Sequence, residues 1–145
     1  MKVIELKTTE GKVRYYLADD AGIPVTSVLK YLKFKDNVGY ARNTLRMHCI
    51  HLKHFFTYLG EAGKDYERAN IDDIAGFLAW LKNPGILKKI VPLRFEPEHQ
   101  PQTINAMVDT VVMFYDYLLR HEGMENQLSE KLVKFIRDPG RNYRS

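Results

Sequence analysis

The sequence predicts a mainly α-helical protein, a four- or five-helix bundle with a short β-hairpin arm at its amino end. Three observations lead there. Apolar residues recur at helical spacing, roughly every 3.6 residues, in successive stretches from Val25 onward. Glycine, proline and asparagine punctuate the gaps between those stretches. Short β-prone runs are confined to the first residues of the chain. With 145 residues, 45% of them hydrophobic, the chain is long and apolar enough for one domain with a core.

The elements follow in order. Val3 to Lys7 and Lys12 to Leu17 are the β-prone runs, with a turn at Glu10-Gly11. Residues 1–20 are therefore expected to form the arm. A break at Asp19 to Pro24 leads to a first helix over Val25 to Phe34, with Val25, Val28, Leu29 and Leu32 inward. Lys30, Lys33 and Lys35 make its outer side basic, and Gly39 ends it by supplying a positive φ. The organising helix runs from Thr44 to Leu59, stopped by Gly60 and Gly63. Leu45, Cys49, Leu52, Phe55, Phe56 and Leu59 form its apolar stripe, and Thr44 is placed to cap its first turn. A polar connector, Lys64 to Asn70, precedes a third helix from Ile71 to Leu81, capped by Asn70 or Asp72. Asn83-Pro84-Gly85 ends that helix. The connection from Ile86 to Pro101 is long for a compact domain, and such loops are often functional. Thr103 to Arg120 is a second long helix, opened by Thr103 or Gln102, with Phe114 on its apolar stripe. Residues 21–125 make the helical domain. Residues 126–145 hold one further short helix, Leu128 to Ile136, and a basic linker.

Charge distribution points to a polyanionic partner. The net charge is +4, but its placement says more. No acid occurs between Asp36 and Glu61, while Arg46, His51, Lys53 and His54 occupy the side of the organising helix opposite the apolar stripe, with Arg42 just upstream. Solvated faces usually mix both signs, and a face without acids suits nucleic acid. The first half of the long loop is basic as well, through Lys88, Lys89 and Arg94.

Other chemistries lack their residues. No run of about 18 apolar residues spans a membrane, and the start lacks an apolar signal core. The single cysteine, Cys49, lies on the apolar stripe as a small hydrophobe, which fits a reducing cytoplasm. His48, Cys49, His51 and His54 invite a metal reading. Cys49 is expected to face the core while His51 and His54 face away, so no metal or other cofactor is expected. No glycine-rich phosphate loop and no nucleophile–base pairing is visible, so catalysis by this chain alone is not expected.

Two stretches then carry a family resemblance. Ala41-Arg42-Asn43-Thr44-Leu45 leads into Leu52 to Leu59, and Gln102-Thr103-Ile104-Asn105 leads into Phe114-Tyr115-Asp116-Tyr117-Leu118. Between them lie Ile71 to Leu78 and the long loop. Their order and spacing resemble the amino-terminal, SAM-like core-binding domain of tyrosine recombinases, the phage and transposon integrases, over about residues 25 to 123. The resemblance implies an orthogonal helical bundle that clamps duplex DNA at the recombination core site during integration or excision. It implies other recombinase protomers as partners, no small-molecule substrate, and a bacterial cytoplasmic location on the nucleoid. It also implies a separate catalytic domain. Tyr143 has no His-x-x-Arg motif before it, and the basic tail resembles the start of an interdomain linker.

On this reading Arg42, Arg46, Lys53 and Lys88 supply counterion-releasing contacts, joined by Lys89, Arg94, His51 and His54. The helix starts at Thr44 and Thr103 offer backbone amides to phosphates. Asn43, Gln102 and Asn105 either reach base edges or serve as caps. A helical protein-interaction module and a small standalone DNA-binding regulator are the competing readings. Against the regulator, no short helix and tight turn precedes Thr44 at helix-turn-helix spacing.

Overall fold

The computed structural model describes residues 1–85 and 101–124. The expected loop cations Lys88, Lys89 and Arg94, the short helix at Leu128 to Ile136 and the tail with Tyr143 lie outside the described residues. Elements follow in the order β1 (Lys2–Lys7), β2 (Val13–Ala18), α1 (Thr26–Asn37), α2 (Arg42–Ala62), α3 (Ile71–Lys82) and α4 (Pro101–His121). The chain divides into two compact units, Met1–Thr57 and Tyr58–Ser145, with α2 running through the boundary.

In the first unit, β1 and β2 pair antiparallel with Ile4 opposite Tyr16 and Leu6 opposite Arg14. The Thr8 carbonyl accepts the Gly11 amide at 2.9 Å, which puts Thr9 and Glu10 at the centre of the turn. Gly11 follows at φ 84°, a conformation that costs glycine little. Beyond β2, the Asp19 carboxylate accepts the amides of Ala21 and Ile23, each at 2.9 Å, and folds the chain back. The amide of Val25 then bonds the carbonyl of Leu17 at 2.8 Å, tying the start of α1 to the hairpin. Arg14 Nε donates to Asp36 Oδ2 at 2.6 Å, so the hairpin also packs against the end of α1. A hairpin alone is marginally stable, and these ties are what hold it.

Helix α1 buries Val28, Tyr31 and Leu32. Leu29, expected inward, is 41% exposed. The buried arc of α1 runs from Tyr31 through Val28 to Leu32, and Leu29 falls beyond its Leu32 edge, toward the exposed side. Gly39 ends the helix at φ 101°, as its position predicts. Helix α2 is longer than expected. The Leu45 amide bonds the Ala41 carbonyl at 3.0 Å, so Ala41 occupies the cap position and Thr44 lies within the first turn rather than capping it. Gly60 is helical; the stop comes at Gly63, φ 67°, where the Lys64 amide returns to the Leu59 carbonyl.

In the second unit, α3 opens with a capping box. Asn70 Oδ1 accepts the amides of Asp72 and Asp73, and Asp73 Oδ2 accepts the Asn70 amide at 2.8 Å. Helix α4 begins at Pro101, two residues before Thr103; proline suits the first helical position because its missing amide has no partner there anyway. Ile104, Met107, Val111, Phe114, Tyr115 and Leu118 are buried on it, with Val108 and Leu119 at the margin. Tyr115 donates its hydroxyl to the Tyr66 carbonyl at 2.6 Å, anchoring the 3-10 turn Tyr66–Arg68. Trp80 is buried and donates Nε1–H to Glu61 at 2.6 Å.

Candidate nucleic-acid interface

The site is built on α2. At about 100° per residue, its buried side chains, from Leu45 and Cys49 round to His51 and Tyr58, cover about half the circumference. Arg42, Arg46 and Lys53 fall together in a sector about 40° wide on the other half. Arg42 and Arg46 are exposed and Lys53 is half-buried. Among the described residues, none of the three forms an ion pair. The first turn of α2 carries no acid. The amides of Arg42, Asn43 and Thr44 precede the first intrahelical bond, and all three residues are exposed. Three amides at the positive end of a helix, beside two arginines, form a surface suited to a phosphate.

The turn ahead of α2 is fixed by aromatic packing. The Tyr40 amide bonds the Lys35 carbonyl at 3.0 Å, and the Tyr40 ring meets His48 edge-on. Lys35 is not on the open outer side of α1 as expected. Its ammonium lies 4.8 Å from the Tyr40 ring centre and within 6 Å of those of Tyr31 and Phe34, at 5.7 and 5.9 Å.

His51 departs from its expected place. It is 5% exposed and stacks on His48, 6.4 Å between ring centres, inside the buried arc rather than on the outward face. Tyr31 Oη sits 2.9 Å from His48 Nδ1, giving that ring an interior partner. Burial lowers both imidazoles to about 4, so at neutral pH His51 is uncharged and offers no cation to a partner. Neighbouring charge adds to this, from His51 and Lys35 for His48, and from His54 for His51. Cys49 is fully buried, as expected, and its thiol is pushed up to about 12 by burial. His54 is half-buried at the edge of the outward face. Among the described residues, no group of histidine, cysteine and carboxylate side chains is arranged to hold a metal.

In the second unit, Gln102 and Asn105 are exposed and Thr103 is half-buried on the first turn of α4, which also carries no acid. Ile104 is buried between them and fixes the rotation of that turn. Asn43, Gln102 and Asn105 all lie inside their helices, past the cap position, at exposed places on the first turns.

Among the described residues, a hairpin arm precedes four helices, three of which (α1, α2 and α4) start without an acid in the first turn. The chain belongs to the family described as "Phage integrase, N-terminal SAM-like domain", which it matches over residues 29–123. This is the family whose resemblance its sequence carries. The chain is 29% identical over 106 residues to Transposase A from transposon Tn554 of Staphylococcus aureus strain Mu50, and equally to the protein of that name in strain N315. The alignment covers 73% of this chain and 29% of each relative, so the chain spans less than a third of the length of these relatives. No solved structure matches the chain.

Proposed function

We propose that this chain is the part of a site-specific tyrosine recombinase that grips duplex DNA at the recombination core site during integration or excision. The observation that carries the reading is the outward face of α2. Arg42, Arg46 and Lys53 share one sector, no acid lies between Asp36 and Glu61, and the exposed first turn presents three amides ahead of the first intrahelical bond. Asn43 and, on α4, Gln102 and Asn105 are the side chains able to reach base edges, with Thr44, Thr103 and His54 beside them. The loop cations Lys88, Lys89 and Arg94 belong to the same proposal. Strand cleavage belongs to a catalytic domain outside this chain, and further protomers assemble with it on DNA in the cytoplasm. Among the described residues no helix is long and apolar enough to cross a membrane.

The test is a duplex titration over a salt series. Arg46→Ala plus Lys53→Ala should leave stability within about 0.5 kcal/mol, because neither side chain is in the core. The same change should weaken binding and lower the salt slope by up to about 2, if each cation neutralises one phosphate. Unchanged affinity and slope would remove α2 from the interface.

A further inference from the structure

We propose that the outer face of α1 is a second phosphate-contacting row, distinct from the α2 face; this rests on the reading of the chain as a duplex binder. Thr26, Lys30, Lys33 and Asn37 are all exposed. They stand at i, i+4, i+7 and i+11 of one helix, within a sector of about 60° and along about 16 Å of its length. Each brings a hydrogen-bond donor, and two bring a full positive charge.

The row contains no acid. The one acid of α1, Asp36, lies to its side and is held by Arg14, with both side chains largely buried at 25% and 30% exposure. Arg14 is fixed in turn by a 2.7 Å bond to the Val13 carbonyl. The hairpin thereby neutralises the carboxylate that would otherwise repel a phosphate beside Lys33.

The row points away from α2. The opposite side of α1 buries Val28, Tyr31 and Leu32, and Tyr31 meets His48 of α2. On α2, Arg42, Arg46 and Lys53 lie about 120–160° around the axis from His48. The two cationic rows thus face different ways from the α1–α2 contact and meet different stretches of backbone. Lysine ammonium groups act as point charges, suited to phosphate oxygens rather than to forked readout of a base. The contact is therefore independent of sequence. A protein partner would bury an apolar anchor at the centre of its contact, and this row has none; Leu29 stands at its edge.

The test uses the full chain and a duplex of arbitrary sequence. Lys30→Gln plus Lys33→Gln should leave the melting temperature unchanged, weaken binding and lower the salt slope by up to about 2. Lys30→Arg plus Lys33→Arg should restore both. Combined with Arg46→Ala and Lys53→Ala, the slope losses should add. If the α2 change reduces the slope while the α1 change alters neither affinity nor slope, the row is a solvated face and this inference fails while the α2 reading stands. Lysine-dependent binding of poly-glutamate without lysine-dependent binding of duplex would assign the row to an acidic protein and overturn the proposal. A wild-type chain that binds no duplex would overturn the underlying reading and this one with it.

Discussion

Gly76 and Tyr58 offer a sharp test of the packing in the second unit. Tyr58, near the end of α2, lies against Phe77 and Trp80 of α3, with ring centres 5.7 and 5.9 Å apart, and is 5% exposed. A Cβ added at Gly76 would overlap the Tyr58 hydroxyl and come within 3.2 Å of Cζ. Two effects of Gly76→Ala oppose each other. Alanine in a helix interior gains about 1 kcal/mol over glycine. Overpacking a filled site costs about 1–3 kcal/mol, and the ring cannot easily swing aside between Phe77 and Trp80. The clash should win, with a net loss of up to about 2 kcal/mol. Tyr58→Phe removes the overlapping atom, and among the described residues its hydroxyl makes no hydrogen bond, so this change alone should be nearly neutral. Combined with Tyr58→Phe, Gly76→Ala should become neutral or stabilising by up to about 1 kcal/mol. Chemical denaturation of the four proteins of the cycle gives the coupling directly, expected at about 1–3 kcal/mol. A Gly76→Ala protein as stable as wild type, with no coupling to Tyr58→Phe, would show that α2 and α3 do not approach as closely as this.

Two further outcomes follow from the cores. His48 and His51 have folded-state values near 4 against 6.5 in an unfolded chain, so the unfolded state binds more protons between those values. Stability should be full above about pH 6.5 and fall progressively toward pH 4. Melting temperatures across that range should show the fall, and His48→Gln plus His51→Gln should flatten it; an unaltered profile would mean the imidazoles titrate freely. Phe114 is fully buried on α4 and Phe56 nearly so on α2, and alanine at either should cost about 3–5 kcal/mol. Thermal melts check this, and unchanged melting of both variants would mean that the helical registers are wrong.

Much of the fold was legible because it depends on local chemistry. The spacing of Leu45, Cys49, Leu52 and Phe56 fixes which side of α2 is buried, whatever packs there. Asn70 at the start of α3 and Gly39 at the end of α1 act within a few residues of themselves, through a side-chain bond and a positive φ. The run without acids from Asn37 to Gly60 is likewise a property of sequence, as is the family that the order of motifs identifies.

Other features were decided only by tertiary structure. Histidine is polar enough for a surface and apolar enough for a core, so periodicity alone left His51 on the outward side. It is buried against His48, whose own ring is partnered by the Tyr31 hydroxyl brought by another helix. Lysine usually points outward, yet three rings collect around the Lys35 ammonium once α1 and the Tyr40 turn are folded. Gly60 carried the sequence signal of a stop, but glycine permits a positive φ without requiring it, and the chain takes that turn at Gly63. The start of α2 moved forward to Arg42 because the Gly39–Tyr40 turn sets where helical bonding begins. That shift decides the candidate interface, since it places Arg42, Asn43 and Thr44 together on one exposed first turn.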